Sequence, residues 1–210
     1  YGNVTSLPVT EDTLLSKPEC AYAATKQMGE QVILDMAKKN QTFNFILLRY
    51  FNPVGAHPSA AIGEMPIMKP NNLVPLITQT AIGKLDKMYV WGNDYQTKDG
   101  SCIRDYIHVM DIADAHTKAL QYMMNHENSA NYEIFNLGTG EGVSVLEAIH
   151  TFEKMSGVKL NYEMGNRRDG DVEAVYADNQ KAKSLLRWNI QYSIEDMMDT
   201  AWKWQLKLGK

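Results

Sequence analysis

The sequence predicts an α/β protein built on parallel strands, and three observations carry the prediction. Segments of helical periodicity alternate with short, continuously apolar segments along the whole chain. An amphipathic helix over 19–38 followed by the apolar run FNFILLRYF (43–51) makes half of a β-α-β unit. Two further apolar runs, KMYVWG (87–92) and YEIFNLGTG (132–140), end on glycines, as strands do when the chain turns away. No repeat, low-complexity tract or flexible linker interrupts the pattern.

Each element follows from its residues. Pro18 stands just ahead of the first helix, and Gly29, Val32, Ile33 and Met36 form its expected apolar stripe. Tyr22 and Lys26 are one turn apart on it, so both side chains leave the same face. The run at 43–51 is too short and too continuously apolar for a surface helix and reads as a buried strand. NPVGAHPSAAIGEMPIMKP (52–70) is a long connection of the kind that covers sites or moves. A helix over 71–84 and the strand at 87–92 come next. DGSCIRDYIHV (99–109) holds a strand at Tyr106–Val109, and Asp111 is expected to cap a helix burying Ile112, His116, Ala119, Leu120 and Met123. After the strand in 132–140, Ser144 caps a helix over 145–156. A short strand near 159–164, a loop with Arg167 and Arg168, and helices over 179–187 and 193–208 complete the chain.

Composition narrows the function. At 210 residues and 44% hydrophobic, the chain can bury a proper core, as one large or two small domains. A net charge of −4 without a basic block argues against a nucleic-acid partner. No apolar run is long enough to cross a bilayer and no signal-peptide pattern opens the chain, so no membrane partner is expected. Cys20 and Cys102 cannot build a disulfide framework, which points to the reducing cytoplasm. The five histidines lack metal-ligand spacing, so no metal is expected. The chain opens on Tyr1-Gly2-Asn3 without an initiator methionine, as a piece of a longer protein would.

Spacing alone does not single out Tyr22 and Lys26. With 11 Tyr and 16 Lys, chance predicts roughly one Tyr-x-x-x-Lys pair, and one is present. Its meaning comes from its company: LLRYFNPVGAHPS (47–59), PNNL (70–73), RDYIHVMDIADAH (104–116), NLGTG (136–140) and RRDGD (167–171), in that order. Together these resemble the UDP-glucose 4-epimerase family of the extended short-chain dehydrogenase/reductases, from Tyr1 to the closing Trp202-Lys203-Trp204. RDYIHV-x-D alone would indicate only the wider group of sugar-nucleotide epimerases and dehydratases; RYFNPVGAHPS is much narrower.

The resemblance implies a partial doubly wound (Rossmann-type) parallel sheet interleaved with a smaller α/β substrate-binding lobe. Residues 1–53 and 111–140 would be the remainder of the NAD-binding unit, and 54–110 with 141–210 the UDP-sugar-binding lobe. The implied reaction interconverts UDP-glucose and UDP-galactose. Tyr22 takes the proton of the sugar 4-hydroxyl while hydride passes to NAD, and the 4-keto sugar turns and is reduced on its other face. A free tyrosine, with a pKa of about 10, is a poor base, and a neighbouring lysine ammonium and a cationic nicotinamide would favour its phenolate. Lys26 would supply that charge, and Tyr50 would offer backbone to the nicotinamide amide.

On the nucleotide side, the resemblance assigns Arg104 and Arg168 to the diphosphate, Asp171 to the ribose, Asn52 and Asn72 to phosphate or sugar oxygens, and Leu73 to a backbone contact. Tyr89, Val90 and Trp91 match the strand edge that receives uracil. The residue types leave alternatives open. Each arginine's planar fork suits a diphosphate, and equally a carboxylate such as Asp105 or Asp169. Asn52, before a proline, is also a common turn former. Val175 matches the position flanking the sugar's C2 substituent, where a small side chain would admit UDP-N-acetylhexosamines, or it is an ordinary strand residue facing the core. A homodimer is expected of the complete enzyme.

Two parts of the family pattern are absent from these residues. No G-x-x-G-x-x-G turn for the cofactor pyrophosphate occurs, and NLGTGEG is no substitute because no acidic residue follows at the required distance. The expected catalytic serine or threonine would lie ahead of Tyr1. The chain therefore resembles the C-terminal portion, expected by itself neither to epimerise nor to hold NAD. Two other readings stand beside this one: a related nucleotide-sugar dehydratase or decarboxylase, and a non-catalytic UDP-sugar-binding module.

Overall fold

The computed structural model describes residues 1–209 and has the predicted α/β character. Helix α1 (Ala21–Lys39) leads into β1 (Phe45–Tyr50), and β2 (Asn52–Val54) follows after one residue. The order continues α2 (Leu73–Ala81), β3 (Met88–Trp91), β4 (Ile103–Arg104), β5 (Tyr106–His108), α3 (Val109–Met124) and β6 (Tyr132–Leu137). Then come β7 (Val143–Ser144), α4 (Val145–Ser156), β8 (Tyr162–Gly165), β9 (Ala174–Val175), α5 (Gln180–Leu185) and α6 (Ile194–Leu208).

The two-stranded sheets are all parallel: β1 with β6 in register Phe45↔Tyr132, β2 with β5, and β3 with β8. A three-stranded sheet has β4 at its centre, antiparallel to β7 and parallel to β9.

Local chemistry sets several boundaries as expected. Ser144 and Glu147 close a capping box on α4, which stops at Gly157 with φ of 71°. Ser193 and Asp196 do the same for α6. Two expectations are corrected. The cap of α3 is His108, whose Nδ1 accepts from the Met110 N–H at 3.0 Å. Asp111 sits inside the first turn, and its carboxylate accepts from Gln191 N and Tyr192 N at 3.1 and 3.3 Å. The buried face of α3 is Ile112, Ala115, Ala119 and Tyr122, turned toward Phe135 and Trp188; His116 and Leu120 face outward.

The stripe on α1 is also corrected. Glu30 grips Arg49 of β1 with two bonds of 2.7 and 2.6 Å, and this turns Glu30, Ile33, Leu34 and Ala37 toward the strand. Val32 and Met36 stand 58% and 51% exposed, so the stripe read from sequence is not the packed one.

Two cores result. One gathers Val54, Ile77, Met88, Val90, Ile149, Phe152 and Met198 from β2, α2, β3, α4 and α6. The other gathers Ile107, Ala115, Phe135, Leu137 and Trp188 around β5, β6 and α3. Ala182, Leu186 and Trp188, assigned by sequence to the substrate lobe, pack in this second core. Val54 and Ile107, on paired strands, belong to different cores, so the β2–β5 pair is where the two meet.

No helix among the described residues is long and apolar enough to cross a membrane.

Candidate active site

The site begins with a buried carboxylate. Asp105 lies between β4 and β5, fully buried, and its two oxygens collect four hydrogen bonds. Thr139 donates its N–H and its hydroxyl, both at 2.7 Å, while Gly140 N and Ala177 N donate at 3.2 and 3.0 Å. Burial pushes the Asp105 carboxyl above its usual range, against the downward pull of those bonds. Gly138 is required beside it, because a Cβ there would come within 2.7 Å of the Ala177 methyl and closer still to Asp105. Asp105 thus fastens NLGTG to the strand pair, and with its bonds filled it is no partner for Arg104.

Arg104 is fixed instead by carbonyls. Its Nη1 donates to Ile103 O and Val172 O, both at 2.8 Å, and its Nη2 reaches Asp171 Oδ1 at 3.5 Å. Arg168 donates from Nε to the other oxygen of the same Asp171 at 3.1 Å. The two arginines, 64 positions apart, therefore meet at one carboxylate, which is neither Asp105 nor Asp169.

They flank a cleft of about 280 Å³ whose walls are β2, β3, β4 and the start of α2. Nine of the ten residues assigned to substrate line it: Asn52, Asn72, Leu73, Tyr89, Val90, Trp91, Arg104, Arg168 and Asp171. Asn72 at the N-cap of α2 makes no capping bond, and its amide donates to Glu64 Oε1 at 3.2 Å. Pro75 has no N–H, so the free N–H groups at the start of α2 are those of Leu73 and Val74, and they keep their partial positive charge at the cleft wall. With both arginines this favours an anion. Along β3 the pleat buries Met88 and Val90 and turns Tyr89 and Trp91 outward, their rings stacked at 5.4 Å. Val90 consequently offers the cleft mainly its backbone.

The tenth residue, Val175, is half-buried on β9 beside Arg104 and does not line the cleft. Neither do Tyr22, Lys26 and Tyr50. Tyr22 is 70% exposed, with the Lys26 ammonium 5.1 Å from its ring centroid, so the two do share a helix face. Tyr50 is half exposed, its ring 6.4 Å from that of His116. Cys102 and Tyr106 also line the cleft, beyond the residues the sequence motifs name. The period-two alternation of Cys102, Arg104 and Tyr106 was the signal available for them.

The family profile described as GDP-mannose 4,6 dehydratase matches residues 1–201. The chain belongs to this family. The chain is also similar to the UDP-glucose 4-epimerase of Pasteurella multocida (strain Pm70), 46% identical over 210 residues, covering 100% of this chain and 61% of that protein. A crystal structure of UDP-glucose-4-epimerase from Stenotrophomonas maltophila with bound NAD and formylated UDP-arabinopyranose superposes with a TM-score of 0.93 and 43% identity, over 99% of this chain and 60% of that one. The Bifidobacterium longum UDP-glucose 4-epimerase in complex with NAD+ and UDP gives a TM-score of 0.93 at 40% identity, over 99% and 61%. The chain therefore spans about 60% of the length of the relatives it matches.

Proposed function

We propose that this chain is the UDP-sugar-holding part of a UDP-glucose 4-epimerase acting in galactose metabolism. The observation that carries the proposal is the cleft: nine residues from five separated segments converge there, with two arginines, an uncapped helix N-terminus and an aromatic strand edge. In this reading Arg104 and Arg168 grip the diphosphate and Asp171 receives the ribose hydroxyls. Asn52 and Asn72 bond phosphate or sugar oxygens, the Leu73 backbone meets the nucleotide, and the Tyr89–Trp91 edge receives the base. Residues 54–110 and 141–210 form the sugar-nucleotide lobe, with the Ala182–Trp188 stretch packed on the other unit.

The cofactor fits these residues at one end only. The residues this reading gives to the nicotinamide end, Tyr22, Lys26 and Tyr50, are exposed, whereas no glycine-rich turn for a pyrophosphate occurs in the 210 residues. NAD, when bound, supplies a reversible hydride acceptor. What this chain contributes is a phenolic oxygen at Tyr22 that holds or moves the proton of the sugar 4-hydroxyl, with the Lys26 ammonium on the same helix face. We propose that the complete protein works as a cytoplasmic homodimer. We also propose, from the family resemblance and not from the cleft, whose lining excludes Val175, that a small residue there admits UDP-N-acetylhexosamines. The dehydratase alternative is carried by the profile's description alone, against relatives at 46% identity that are epimerases.

The test is Tyr22→Phe in a polypeptide joining this chain to an NAD-binding half. Turnover of UDP-galactose should fall by roughly 10²-fold or more, the scale of a lost acid–base group, with UDP-sugar affinity unchanged. Near-normal turnover would remove Tyr22 from the reaction.

A further inference from the structure

Arg168 reaches the cleft from the end of an irregular segment, residues 166–168, and a turn at 169–170. Segments of this kind move unless something holds them. Here its neighbour is held twice. The Arg167 guanidinium carbon lies 4.1 Å from the Tyr95 ring centroid, over the ring. The same group donates from Nε to Asp94 Oδ1 and from Nη2 to the Asp94 backbone carbonyl, both at 2.7 Å. Stack and fork together fix the plane of the guanidinium, and with it the backbone that carries it. One residue on, Arg168 stands against Trp91, 6.0 Å from ring centroid to guanidinium carbon, and bonds Asp171. Trp91 itself lies over Gly165, where a Cβ would come within 2.7 Å of the ring.

Neither Arg167 nor Asp94 lines the cleft, and both are solvent-exposed, with side chains 45% and 67% accessible. An exposed ion pair of this kind adds little to stability. Its geometric effect is larger, because it ties the 166–170 segment to the turn that follows β3. We infer that Arg167 is a positioning residue: it locks that segment to Asp94 and Tyr95 so that Arg168 meets the diphosphate of a bound nucleotide. This inference rests on the reading of the cleft as a nucleoside-diphosphate site.

Charge and geometry predict opposite results, which makes the inference testable. Arg167→Lys keeps the charge and loses the fork and plane. Asp94→Asn removes a negative charge near the site, which by electrostatics alone should tighten anion binding. Positioning predicts that both weaken it. The experiment titrates UDP and uridine onto the 210-residue chain and its two variants, with thermal unfolding of each. The expected result is UDP affinity about tenfold lower in both variants, the scale of one weakened charge-assisted bond, with uridine affinity and unfolding midpoint unchanged. UDP binding unchanged in Arg167→Lys, or tightened in Asp94→Asn, would overturn the inference. So would parallel loss of UDP and uridine, which would mean general collapse of the cleft. If the unaltered chain binds no UDP, the nucleotide reading fails and takes this inference with it; UDP binding indifferent to both variants removes this inference alone.

Discussion

Replacing Asp105 by asparagine should destabilise the whole protein. The carboxylate accepts from Thr139 N and Oγ1 on one oxygen, and from Gly140 N and Ala177 N on the other. An amide has one oxygen, so its NH₂ must face one of those two sets of donors. At least one buried backbone N–H, and two in one orientation, then loses its acceptor and meets another donor. Each such loss costs about 1–3 kcal/mol, so the variant should lose roughly 2–5 kcal/mol. Relief of the burial that raises the Asp105 carboxyl offsets part of this. Against a total of about 5–15 kcal/mol for an ordinary domain, that is a large fraction. At about 2–4 °C per kcal/mol for a chain this size, the unfolding midpoint should drop by roughly 4–20 °C. Urea titration followed by circular dichroism measures it as a lower midpoint at unchanged slope. A loss below about 1 kcal/mol would show that Asp105 does not fasten NLGTG to the strands.

The remaining predictions concern charge, pH and substrate. Arg104→Ala should weaken UDP binding by about ten- to a hundredfold, the range for a hydrogen bond to a charged group, and leave uridine unaffected in titration. Burial lowers the His108 pKa from 6.5 to about 4, where its ring bonds Thr200 and stacks on Tyr192 at 4.1 Å. Between pH 6.5 and about 4 the unfolded chain takes up a proton that the folded one refuses, so stability is full above 6.5 and falls as pH drops, by up to roughly 3 kcal/mol. Asp105 and Asp111, whose carboxyls burial raises, act with the opposite sign in the acid range, since the folded state protonates them first. His108→Asn, which keeps a capping side chain, should flatten the pH dependence of the urea midpoint across that window; an unchanged slope would exonerate His108. In the complete enzyme, Val175→Tyr should remove mainly activity on UDP-N-acetylglucosamine, read as kcat/KM for both sugars. Equal losses, or no N-acetyl activity before substitution, would show that Val175 does not size the pocket.

Local signals were legible where the residues that decide an element lie within one turn of it. Ser144 with Glu147 announces the start of α4, and Gly157 its end, without reference to the rest of the molecule. On α1, periodicity shows which face is apolar, not which face meets the sheet. Glu30, a charged residue, is on the packed side because Arg49 waits for it across 19 positions. An aspartate in the first turn and one at the N-cap look alike in sequence, and the partners that distinguish them for Asp111, Gln191 and Tyr192, are 80 and 81 positions away. Strands β4, β7 and β9 have two residues each, too few to display a period. The cleft residues were placed by motif resemblance, yet the meeting of Arg104 and Arg168 at Asp171 is a long-range fact that only the fold shows.

Calorimetric titration of the 210-residue chain with UDP and, separately, with NAD bears on the nucleotide cleft itself. UDP should bind at one site, with heat that is lost in Arg168→Ala, while NAD gives none, since the UDP cleft is present and the 210 residues hold no glycine-rich turn for a dinucleotide. No heat with UDP, or UDP binding unaffected by loss of Arg168, would contradict the assignment of this cleft to a UDP-sugar.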